Sequence, residues 1–160
     1  MRALVQGATL AVALGTGLVA GVFFAFSSFV MAGLARLPAA QGMAAMQSIN
    51  RTAVRPLFMA AGFGTALVCL GLAAWAMVNW GEPGFGWVLA GSASYILGAL
   101  VVTIAANVPM NEAMAQLDPA DPNAASFWTR YLSSWTAWNH VRTLASLGAA
   151  GLFTVALMQA

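Results

Sequence analysis

Charge is what this chain has least of. Charged residues fill 6% of its 160 positions, and lysine is absent; an ordinary soluble domain carries about a quarter. The charges present are Arg2, Arg36, Arg51, Arg55, Arg130 and Arg142 against Glu82, Glu112, Asp118 and Asp121. A pI of about 9.3 therefore reflects an excess of only two charges. With no basic run, it excludes a nucleic-acid partner rather than suggesting one. Cysteine and histidine are nearly absent too. The single Cys69 can close no disulfide within the chain, and one His with one Cys cannot build a closed structural zinc site. No metal is therefore expected. A haem held by two histidines is excluded, while a haem on one histidine stays open. No glycine loop for phosphates and no serine nucleophile motif is present.

What fills the chain instead is apolar: 61% of residues are aliphatic, aromatic or Cys. Residues 3–35, 56–81, 83–111 and 143–160 carry no charge. A helix needs about 20 apolar residues to cross a hydrocarbon core roughly 30 Å thick. Four spans follow, near 4–31, 57–79, 86–107 and 140–158, and the expected fold is an all-α, up-and-down bundle of four transmembrane helices in a single membrane domain. The first run is far longer than a signal peptide's apolar core and reads as a retained span.

The connection carrying Glu82-Pro-Gly is a plain turn. The other two connections are long and, because spans alternate, share one membrane side. The first holds an interfacial helix near 41–53 that stops at Arg55-Pro56, where Pro56 suits the first turn of the second span. The other passes through Asp118-Pro119 and Asp121-Pro122, signatures of a helix start. A second interfacial helix is expected near 122–139. Were it continuous to Met158, it would measure roughly 55 Å and outreach the membrane core. The two halves share a layout of span, polar connector and span, an outline of a two-fold repeat with thin sequence likeness. Arginines favour the connector side five to one, which by the positive-inside rule makes it cytoplasmic. The expected location is a bacterial inner membrane.

Polar chemistry concentrates between Phe127 and Thr143. At about 100° per residue, Trp128, Tyr131, Trp135, Asn139 and Arg142 share a helix face; Trp138 lies at its edge, and His140 points about 100° away with Thr136 and Thr143. An aromatic belt at the membrane surface explains the tryptophans equally well. It explains Asn139, His140 and Arg142 less well, because polar groups near membrane depth are costly and usually face an interior. Asn107 and Asn111 flank Pro109, either as a helix cap or as donors into the same cavity, with Thr103 one turn deeper. Gln47, Asn50, Arg51 and Arg55 lie along the first connector, where a solvated anchor is the ordinary reading. Glu112 is a candidate partner for an arginine. Ala13, Gly17, Gly21 and Ala25 permit close helix contact, inside the bundle or across a homo-oligomer interface. Phe23, Phe24, Phe26 and Phe29 form an aromatic wall, most simply core or lipid contact.

Gly21-Val-Phe-Phe-Ala-Phe-Ser27, Ala45-Met-Gln-Ser-Ile-Asn50, Asn107-Val-Pro-Met-Asn111 and Trp135-Thr-Ala-Trp-Asn-His-Val-Arg-Thr143 resemble the anthrone oxygenase-like family of small four-helix membrane proteins. Where that family usually has Asn before the proline of the second span, this chain has Arg55. The resemblance implies oxidation of an anthrone to an anthraquinone, with O2 as co-substrate and no other cofactor. On that reading His140, whose side-chain type exchanges a proton near neutral pH, is the base. Arg142 and Asn139 steady the enolate oxygen. Asn107, Asn111, Tyr131, Trp135, Trp138, Gln47, Asn50 and Arg55 complete the substrate site, and the partners are a lipophilic aromatic small molecule and membrane lipid. The alternatives are a non-catalytic membrane protein binding a lipophile or partner subunit through the same cluster, and a haem- or quinone-linked redox protein using His140.

Overall fold

The computed structural model describes residues 2–159, and these are almost wholly helical, with no strand among them. Four helices are long and apolar enough to cross a membrane: α1 (Arg2–Ala35), α3 (Pro56–Val78), α4 (Phe85–Ala115) and α5 (Ala124–Gln159). Between the first two lies α2 (Ala39–Ala53). Helix α5 packs along α1 and α4, α4 along α3, and α3 along α1, which closes a ring of four antiparallel neighbours. The fold is the expected all-α bundle.

Its ends are easily told apart. At one end Arg2 meets Glu82 at 3.5 Å, and Trp87 Nε1 donates to Gln159 Oε1. The turn there holds Gly84 at φ +79, with the Ala156 carbonyl close to where a Cβ would sit, so only glycine fits. At the other end Gln47 of α2 donates through Nε2 to the carbonyls of Met114 and Leu117, pinning the two long connections to each other.

Helix α5 is continuous over 36 residues, roughly 54 Å; connector helix and final span are one rod. A single stripe of it is buried throughout: Trp128, Tyr131, Trp135, Asn139, Arg142, Ser146, Ala149, Phe153 and Ala156, at steps of three and four. The stripe changes chemistry along its length. Its aromatic upper part packs with Met31, Met43, Met46 and Met114 in a cap at the connector end. Its small lower part packs with Val12, Val19, Cys69 and Tyr95 inside the bundle. Asn139 and Arg142 sit between these two cores.

Helix α4 runs through Asn107 and Pro109 to Ala115, beyond the expected end of the third span. A π turn over Thr103–Asn107 precedes the proline, which falls in the first turn of the α segment Val108–Ala115. Further π turns lie at Phe26–Val30, Ala60–Gly64 and Ile96–Val101. Side chains use the carbonyls around them: Asn139 donates to Phe23 O, Tyr95 to Gly62 O, and Thr103 to Ala99 O. In the last connection, the Asp118 and Asp121 carboxylates accept the N–H groups of Ala120 and Asn123, leading the chain into α5.

Gly98 of α4 packs directly on Ala145 of α5, where a Cβ would overlap the alanine methyl. Gly98→Val is expected to lower unfolding stability by about 1–3 kcal/mol through overpacking. Gly71→Ala faces open space and serves as the neutral control, both read from thermal unfolding in detergent. Equal melting of the two variants counts against this packing.

Candidate functional site

Arg142 stands seventeen positions, about 26 Å of helix, before Gln159, a distance within the roughly 30 Å thickness of a hydrocarbon core. It is 5% exposed. Its Nη2 donates to Asn139 Oδ1 at 2.6 Å and its Nη1 to Thr103 Oγ1 at 3.3 Å. Its carbon centre lies 4.3 Å from the Phe23 ring centroid and 5.0 Å from that of Trp135. Its Nε has no partner. Every group around this cation is neutral: an amide, a hydroxyl and two π faces. Among the described residues the one ion pair is Arg2–Glu82, at the far end of the bundle. Glu112, a candidate counterion in the sequence, is exposed.

Asn139, fully buried, is the hinge of the arrangement. Its Nδ2 donates to Phe23 O at 2.6 Å and to Ser27 Oγ at 2.7 Å, fixing the amide so that Oδ1 faces the arginine. Above it the aromatics stand in a ladder. Trp128 and Tyr131 stack at 5.6 Å, Tyr131 and Trp135 at 6.2 Å, and Phe26 tilts against Trp135. The Tyr131 hydroxyl and Trp135 Nε1 both donate to Asn111 Oδ1 at 2.8 Å, which uses up that acceptor.

Beside the guanidinium is a cavity of about 160 Å³, walled by Phe26, Ile49, Asn50, Met59, Asn111 and Trp135 among others. A smaller hollow of about 80 Å³ runs deeper past Phe63 and Tyr95, and shares Phe23, Phe58, Met59, Thr103 and Arg142 with it. Two polar atoms near the larger cavity are unpartnered, Arg142 Nε and Asn50 Nδ2, and both are donors. The cavity therefore offers hydrogen bonds and positive charge to an acceptor.

Of the residues picked from sequence, Arg142, Asn139, Asn111, Trp135 and Asn50 gather at this cavity or directly behind it. Tyr131 is buried and props Asn111 from the cap. Asn107 is fully buried but reaches the site only through a bond to the Trp135 carbonyl, leaving its own Oδ1 unpartnered. Gln47 holds the connectors together. Arg55 is exposed, and Trp138 is 45% exposed on the outside of α5.

His140, expected as the base, is placed differently: it is exposed in a shallow groove with Ser27, Met31 and Thr136 on the outer side of α1 and α5. The helix repeat is the reason. With Asn139 and Arg142 turned inward, His140 and Val141 between them must turn away. Thr103, Phe23 and Ser27 belong to the site but were not selected from sequence as its members.

Residues 55–152 match the anthrone oxygenase family model. The chain belongs to that family. The matched stretch carries Thr103, Asn111, Trp135, Asn139 and Arg142, while Asn50 and the α1 residues of the site lie outside it. No curated protein and no solved structure matches the chain.

Proposed function

We propose that this anthrone oxygenase family member is a membrane-embedded oxygenase that oxidises an anthrone-like, planar phenolic lipophile with O2 and needs no further cofactor. The observation that carries the reading is Arg142, a guanidinium held at a buried, largely apolar cavity with no carboxylate to balance it. A buried unpaired charge is expensive, and a ligand that is itself an anion removes the expense.

An anthrone supplies that anion. Its ring CH2 loses a proton to leave an enolate delocalised over three rings. Opposite unit charges about 4 Å apart attract by about 4 kcal/mol at an effective dielectric near 20, so Arg142 shifts the ionisation roughly a thousandfold toward the enolate. The enolate then passes one electron to O2, and the resulting radical and superoxide combine to form a C–O bond. Protonation gives a hydroperoxide. Loss of the second ring hydrogen as a proton, with cleavage of O–O, leaves the ketone and water. In sum CH2 and O2 become C=O and H2O. Arg142 steadies the enolate oxygen, Asn139 aims Arg142, and Trp135 and Phe26 bound the ring. The proton is taken by a water molecule admitted at the connector face when the Gln47 clamp between α2 and the last connection opens.

The test is quinone formation and O2 uptake by the protein in lipid nanodiscs supplied with a hydroxyanthrone, run aerobically and anaerobically. Aerobic conversion well above the spontaneous rate is expected. His140→Ala should keep it within about twofold, because that side chain lies outside the cavity. No acceleration by the unmodified protein sinks the oxygenase reading, and a hundredfold loss in His140→Ala sinks this placement of the chemistry.

A further inference from the structure

The Arg142 cavity has a second side. A lateral groove of about 560 Å³ runs down the flank of the bundle between α1, α2 and α3, lined by Ala45, Ser48 and Thr52 of α2 together with Val22, Phe26, Ile49, Ala53 and Phe58. Those last five residues also wall the cavity. Groove and cavity are thus separated by side chains alone, and each of the five is half-buried. Helices α1 and α3 pack in the lower bundle and at the π turn of α3, but part company toward the connector end. There α2 bridges them with the stripe Ala45, Ser48, Ile49, Thr52 and Ala53, spaced by three and four. Val22 lies about 30 Å along α1 from Arg2, about the thickness of a hydrocarbon core, so the groove sits toward the connector end of the span.

The water-facing side is covered over most of its width, as far as the exposed Val54 at the cavity's edge. Met43, Met46 and Met114 are at most 1% exposed above the cavity, and the Gln47 bonds clamp α2 to the last connection. Passage through that cover needs α2 to lift. Passage sideways needs only rotamer changes of Phe26, Ile49 and Phe58, which are fast and break no hydrogen bond.

We propose that the groove is the portal of this site, through which a planar lipophilic substrate slides in from the bilayer and its product returns, without crossing water. The inference rests on the reading that a lipophile occupies the cavity, and it adds the route and the gating residues. An apolar substituent on the ring could then stay among the lipid chains while the oxygenated end meets Arg142.

A cysteine in the cavity tests the route without any turnover. Met59 lines the cavity but not the groove, and the native Cys69 is buried and removable. Met59→Cys in a Cys69→Ala background, in nanodiscs, is labelled with a pyrene maleimide that partitions into lipid and with a sulfonated maleimide that does not. Rates are normalised to an exposed Arg36→Cys control. The lipophilic reagent is expected to react at least tenfold faster. Adding Ser48→Trp or Thr52→Trp, both in the groove and outside the cavity, should slow it about fivefold or more. Equal rates for the two reagents, no effect of either tryptophan, or no labelling by either reagent overturns the portal. None of these outcomes touches the oxygenase reading, which fails separately in the O2 assay.

Discussion

Arg142→Gln is expected to cut kcat/KM for anthrone oxidation by about a hundred- to a thousandfold while leaving the protein as stable as before or more so. The two halves of that result come from one cause. In the native protein the guanidinium is 5% exposed and surrounded by neutral groups. Replacing it by an uncharged amide removes a desolvated charge, which in buried sites is often neutral or stabilising. Glutamine keeps a donor for Asn139 Oδ1, so no acceptor is orphaned in exchange. What is lost is the cation that holds developing negative charge, and a preorganised donor of that kind is worth about 3–4 kcal/mol in a transition state. Steady-state kinetics beside thermal unfolding in the same detergent check both halves. Activity within tenfold of the native protein counts against Arg142 as the anion's partner, and a large loss of stability shows that the residue is structural instead.

Much of this was legible in the sequence, for reasons that also explain where legibility ended. Hydrocarbon excludes charge, so the four charge-free runs mark the spans whatever their tertiary packing. The inward face of α5 was equally readable: Trp128, Tyr131, Trp135, Asn139 and Arg142 fall at one helical angle, and all five are buried. His140 was chosen for its chemistry against that same angle, and the structure places it outside. Periodicity was the better guide there. The partners from other helices were harder to read. In α1, lipid-facing Phe24 and Phe29 look no different from Phe23, which lies under the guanidinium, because lipid is as apolar as the bundle interior and leaves no polar face to set the rotation. Thr103 and Ser27 also sit beside or within π turns, which have no sequence signature and shift the helical phase. The change of composition near residue 139 marked a boundary of environment, and α5 passes through it without a break.

Supplying the missing counterion is the sharper experiment. Thr103 Oγ1 lies 3.3 Å from Arg142 Nη1, and Thr103→Asp puts a carboxylate of similar size at that point. The guanidinium gains a permanent partner, so thermal unfolding should move up by several degrees. The same ion pair competes with any bound enolate or phenolate. At about 4 kcal/mol for close charges in a partly polarisable site, affinity for an unreactive hydroxyanthraquinone anion should fall at least a hundredfold, read by quenching of tryptophan fluorescence in nanodiscs. Thr103→Asn, which loses the same hydroxyl bond to Ala99 O without adding charge, should bind within a few-fold of the native protein. A cavity built for a neutral lipophile behaves otherwise: Asp and Asn then weaken binding alike. A protein more stable and less able to bind, from one added charge, is the outcome that fits a site kept one anion short for its substrate.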